Sequence, residues 1–173
     1  MPSDLPIPGK LRPVQGQTGE RTTIFGRIYG WLMGRNLRAA TAGALAAAAW
    51  VAAEPAVRRA AGGTHRELRL ISGLVSPGRG GNRLGLAVHL ANGAAFGLAF
   101  QRLGGHGIRR AVLAAQAENA ILWPGMAIAD RAHPDVRSGA WPKLLTDRGT
   151  IAQEIGGHLV FGVVLGVLLP DRD

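Results

Sequence analysis

The sequence predicts an all-α integral membrane protein, a four-helix bundle made of two similar helical hairpins. Three observations predict it. Apolar residues gather in four windows of about the length a bilayer demands, and the arginines collect between those windows and barely enter them. One pattern of histidine and glycine recurs in the second and fourth windows at an offset of 69 residues.

A chain of 173 residues has the length of one domain, and the lack of cysteine removes disulfides, thiolate metal sites and cysteine nucleophiles together. The net charge of +9 comes from 18 Arg and only two Lys, Lys10 and Lys143. Such basic charge binds phosphates of a nucleic acid or of an anionic lipid surface equally well. Placement decides, because a DNA-binding domain would spread Arg along amphipathic helices, whereas here Arg flanks apolar runs. The expected partners are therefore the bilayer and its anionic headgroups, not nucleic acid. Mean hydropathy is only +0.11 because a hydrophilic N-terminus and Arg-rich loops dilute the apolar windows.

Residues 1–21 contain four Pro and little apolar matter and should be a disordered basic segment. The membrane domain, 22–173, opens with residues 22–38, in which Ile24, Phe25, Ile28, Trp31 and Leu32 share a face; this is either an interfacial helix or the exposed start of the first span. The first span is 39–57, Ala-rich and charged only at Glu54, with Pro55 expected to disrupt the helix and Arg58 and Arg59 to anchor it. Residues 60–83 form the longest connection, in which HRELRLISGLV could lie on the membrane and SPGRGGNR reads as a loop. The second span is 84–100 and carries His89 and Asn92. After a tight turn the third, 111–129, holds Gln116, Glu118 and Asn119, with Pro124 expected to kink it. A charged loop with Trp141 and Lys143 suited to an interface leads into the fourth span, 151–169. Four spans place both termini on one side. Which side is open, since Lys and Arg number ten on each.

Gly85, His89, Gly93 and Gly97 match Glu154, His158, Gly162 and Gly166 at a spacing of four, so each series lies along one helix face. Glycine at every fourth position removes side chains and lets two helix backbones meet, a contact that lipid does not replace. Two hairpins of the same sense imply a parallel pseudo-repeat about an axis along the membrane normal. A weaker echo is Pro55-Ala56-Val57-Arg58 against Pro134-Asp135-Val136-Arg137.

Five titratable groups fall within or at the edge of the spans: Glu54, His89, Glu118, Glu154 and His158. Each is costly against lipid and should face the bundle interior. There they act either as polar links between helices or as a proton site; Glu154 and His158, one turn apart, would form a carboxylate-imidazole pair, and Glu118 stands about two turns before Pro124, which frees a carbonyl for the same site. The spacing demands no metal and no cofactor, because the Glu-to-His separation is four rather than the three of di-iron bundles. No G-x-S-x-G or H-E-x-x-H occurs, so an enzyme is not expected.

Glu154-Ile155-Gly156-Gly157-His158-Leu159-Val160-Phe161 resembles the E-I-x-G-H-L-V-aromatic stretch in the last span of YagU-type inner-membrane proteins. Trp50 with Ala53-Glu54-Pro55 is similar to that family's first span, at a spacing different by one; the doubled Pro before Arg and the more aromatic helices of the family are missing. The resemblance implies a small multi-pass protein of the bacterial inner membrane with a role in acid tolerance, and Glu54, Glu154 and His158 as its carried-over residues. The expected function is thus a membrane protein whose interior Glu/His set is structural or proton-responsive. The alternative is a transporter or channel subunit for a small cation, proton or solute, with a second copy of the chain as a further candidate partner.

Overall fold

The computed structural model describes residues 17–76 and 82–171, with side chains from residue 33 onward. The expected disorder of the N-terminal segment falls largely outside these residues, as do the loop at 77–81 and the apolar face of the expected interfacial helix. The chain divides into two units, Met1–Arg35 and Asn36–Asp173. The described part of the first is helical backbone from Gln17.

Every regular element among the described residues is helical. Helix α1 spans Gln17–Ala61, α2 Glu67–Val75, α3 Asn82–Arg102, α4 Gly107–Leu122, α5 Met126–Ala132, α6 Pro134–Arg137 and α7 Arg148–Leu168. Three stretches are long and apolar enough to cross a membrane: Met33–Ala61, Asn82–Arg102 and Arg148–Leu168. The 21 residues of α3 and of α7 rise about 32 Å each, which matches a hydrocarbon core of about 30 Å. Among the described residues the protein is therefore all-α with three membrane-length helices.

The third expected span differs. Its segment divides into α4, a 3-10 turn at Trp123–Gly125, and α5. Pro124 has no N–H to return to the preceding turn and its ring collides with that turn's carbonyl, so after Leu122 the α-helix tightens into a 3-10 turn, with the backbone right-handed helical on into α5. The 16 residues of α4 rise about 24 Å, short of the other three. Pro55 does the opposite of what its sequence position predicts: α1 continues through it to Ala61, and the Pro55 carbonyl accepts a 2.8 Å hydrogen bond from Arg59 Nε. Its counterpart Pro134 instead opens α6, so the two Pro-x-Val-Arg segments occupy different settings.

Two glycine-lined seams hold the helices. Gly93 and Gly97 of α3 lie against the backbone of α1 at Gly43 and Ala39, and a Cβ on Gly93 would also stand 2.6 Å from that of Ala47. Gly162 and Gly166 of α7 lie against α4, where a Cβ on Gly162 would be 2.6 Å from Val112 Cα. At the far end of that seam Gly107 adopts φ +73°, which opens α4 and turns its N–H onto the Leu169 carbonyl at 2.8 Å. Gln116 adds a cross-link by donating to the Ile155 carbonyl at 2.9 Å. The main core is Ala39, Ala42, Ala46, Ala47 and Trp50 from α1, with Phe100, Ala111, Ala115, Phe161 and Leu165.

The face of α7 next to its glycine stripe is the reverse of a core. Ile155, Leu159, Val163 and Val167 repeat every four residues and are 38 to 59% exposed. An apolar stripe bared along a whole helix is costly in water and at ease against acyl chains.

A second apolar cluster, Leu70, Ala129, Val136, Trp141 and Leu144, joins α2 to the segment after α5. Asp130 organises it by accepting from the backbone N–H of Leu144 at 2.6 Å and of Leu145 at 3.3 Å. Trp141 is buried there, stacked on His133 at 4.6 Å between ring centroids, and is not the interfacial anchor its flanking charges imply. Asp147 caps α7, accepting from the Thr150 N–H at 2.7 Å, which fixes the register of the residues that follow.

Candidate functional site

Capped by Asp147, the first turns of α7 bury Thr150, Gln153 and Glu154 in succession. The connection after α1 brings His65 and Glu67 to the same place. His65 Nε2 lies 2.9 Å from Glu154 Oε1, and Gln153 Nε2 lies 3.3 Å from the same ring nitrogen. Glu67 is the first residue of α2, where the helix N-terminus favours a carboxylate, and its side chain sits beside that of Glu154. His65, Glu67 and Glu154 are all buried.

From Glu67 and Glu154 a cavity of about 160 Å³ extends into the bundle, lined also by His89, His158, Trp50, Asn92 and Glu118 among others. Trp50 of α1 stands between the two repeat histidines, with centroid distances of 5.0 Å to His89 and 4.4 Å to His158. His89 Nδ1 is 3.9 Å from Glu67 Oε1. Glu118 reaches the chamber from α4 and lines it together with Asn92.

The five titratable residues singled out by sequence meet different fates. His89, Glu118, Glu154 and His158 line one chamber. Glu54 lies at its flank beside Arg58, 3.9 Å from the guanidinium Nε. The expected Glu154-His158 pairing is not the short contact: His158 Nδ1 donates to the Glu154 backbone carbonyl at 2.8 Å and stays 4.0 Å from its carboxylate, which turns to His65 instead. Gly85 of the stripe packs against the backbone of α2 at Leu68, which brings α2 up to α3.

Sequence reasoning missed His65, Glu67 and Gln153. His65 and Glu67 lie in the connection read as a surface segment, and the available signal was the H-x-E spacing at the start of a short helix between two spans.

Burial shapes the electrostatics outside the spans. It drives the Glu67 carboxyl well above its ordinary range, and the neighbouring Glu154 carboxylate adds to the rise. It pushes the His65 imidazole down, against the opposing pull of Glu67 and Glu54, so the ring favours its neutral form. Among the described residues no Lys or Arg forms a salt bridge with Glu67 or Glu154.

Comparison with protein families, with curated proteins and with solved structures finds no match for this chain. The class is set by the architecture alone: an all-α protein with three helices fit to cross a bilayer.

Proposed function

We propose that this chain is a small multi-pass membrane protein that takes a small cation, a proton or a metal ion, into a carboxylate-imidazole chamber inside its helix bundle and conducts it across the bilayer. One observation carries the reading: the Glu67 and Glu154 carboxylates lie side by side, buried, with no Lys or Arg among the described residues bridging them, on the wall of a chamber that two further histidines and Glu118 share. Like charges in such a place favour uptake of a positive one.

The matched seams, α3 on α1 and α7 on α4, support a bundle of two hairpins related by a pseudo-twofold axis, with the chamber where they meet. The resemblance to YagU-type proteins places Glu54, Glu154 and His158 in a bacterial inner-membrane protein concerned with acid, which agrees with a proton as the cation. Exposed Arg59, Arg109 and Arg110 supply headgroup contacts, and nothing in the chamber calls for catalysis.

The test is proteoliposomes carrying a pH-sensitive or a divalent-ion-sensitive dye inside. The wild type should admit one of these cations faster than empty vesicles do, and Glu118→Gln or Glu154→Gln should slow the entry at unchanged helix content. Equal rates in wild type, variants and empty vesicles would leave the chamber a purely structural polar contact.

A further inference from the structure

We infer that His65, Glu67 and Glu154 form a binding site for one first-row divalent metal ion of the zinc or manganese class. The inference deepens the proposed cation chamber and rests on it.

One ligand atom from each of the three lies within 4.8 Å of the others. Ligands around a tetrahedral zinc, bonded at about 2.1 Å, stand about 3.4 Å apart. The His65 Nε2 to Glu154 Oε1 separation of 2.9 Å is shorter than that spacing, so metal uptake opens this contact by about half an ångström while Glu67 closes in. It is free to do so: Glu67 Oε2 is buried without a hydrogen-bond partner in a residue 8% exposed, on the chamber wall. A carboxylate oxygen held from water and left unbonded is costly, and a cation in the trio would satisfy it.

The donor set selects the metal. One imidazole nitrogen and two carboxylates suit zinc, manganese or iron, whereas magnesium and calcium prefer all-oxygen shells that keep several waters or use six to eight ligands. Three protein ligands leave a coordination position open, and here the 160 Å³ chamber offers the space for it.

The surroundings have the form of an outer shell. The Gln153 amide reaches His65, His89 Nδ1 lies 3.9 Å from Glu67 Oε1, and His158 Nδ1 lies 4.0 Å from Glu154 Oε2. Such neighbours orient metal ligands and set their affinity. Arg58, whose charge opposes protonation of His65, faces Glu54 at 3.9 Å.

The experiment uses the full chain in detergent, titrated with Zn²⁺ or Co²⁺ after chelator treatment and dialysis, with bound metal measured per chain. One equivalent is expected, reduced at least tenfold in affinity in His65→Ala and Glu67→Gln and retained in His106→Gln, a histidine at the opposite end of the bundle. If the variants misfold, X-ray absorption of the wild-type Co²⁺ form decides: a single shell of N and O atoms with one imidazole supports the site, and a histidine-rich shell overturns it. Binding that survives His65→Ala in folded protein also overturns it. Wild type that takes up no metal, while its vesicles still show Glu154-dependent proton entry, overturns the metal site and leaves the cation chamber standing with the proton as its ion. Neither metal uptake nor cation entry would overturn both.

Discussion

His65 Nε2 and Glu154 Oε1 stand 2.9 Å apart although 89 residues separate them in the chain. The contact ties the segment after α1 to the first turns of α7. Deleting one side leaves a buried polar group without its partner, at a cost of about 1 to 3 kcal/mol. His65→Ala and Glu154→Ala should each destabilise the protein in detergent by about that much. The double variant should lose at least 0.5 kcal/mol less than the two losses together, by the usual size of coupling between contacting residues. Strict additivity in a thermal or denaturant cycle would show that the contact carries no energy of its own.

The two glycine seams predict an asymmetry within α7. Gly162→Val places methyl groups into the α4 backbone at Val112 and should cost about 1 to 3 kcal/mol by overpacking, with the helices forced apart. Val163→Ala, one position along on the exposed stripe, should cost under about 0.5 kcal/mol. Unfolding curves of the two variants check this, and similar losses in both would contradict the assignment of faces.

The exposed stripe should touch lipid. Because the chain has no cysteine, single cysteines can be introduced without a background. A cysteine at Leu159 should react with a membrane-permeant maleimide only after detergent is added, and one at Thr146, exposed in the loop before α7, should react with a water-soluble reagent in vesicles made permeable to it without detergent. Ready labelling of the Leu159 position by the water-soluble reagent would place that face in water.

Asp147 sets the start of α7 through its acceptance from Thr150, so Asp147→Ala should cost about 1 kcal/mol and Asp147→Ser much less, since serine also caps. The same substitution should weaken cation entry in vesicles more than its stability loss predicts, because the turn that it anchors carries Gln153 and Glu154. Unchanged entry would separate the cap from the chamber.

Much of this architecture was legible in the sequence, and the parts that were not have physical causes. The stripe of Gly93, Gly97, Gly162 and Gly166 announced backbone contact because only glycine suits it, and both seams are where the spacing of four puts them. It did not announce the partner surfaces: Ala39, Gly43 and Ala47 also repeat every four residues, but in an Ala-rich span that spacing does not stand out, and Ile108 and Val112 are ordinary apolar residues. Pro124 and Pro55 looked alike in sequence as helix breakers. One ends α4 in a 3-10 turn and the other is carried through, since packing outweighs propensity. His89, Glu118, Glu154 and His158 were found because charge inside an apolar window is expensive. His65 and Glu67 were missed because in a polar segment the same residue types are ordinary, and only the fold turns them inward.

The seam between α1 and α3 is peptide against peptide, with glycine on both sides at Gly43 and Gly93. Such a wall has no rotamers and so no hinged doors. Any passage into the chamber along it requires whole helices to slide, a slow and cooperative motion, whereas the short α4 ends at a proline turn beside Met126 and Trp123, whose side chains also face the chamber. For the cation path proposed above, that corner is the entrance left open, and the swing of those two side chains would set its rate.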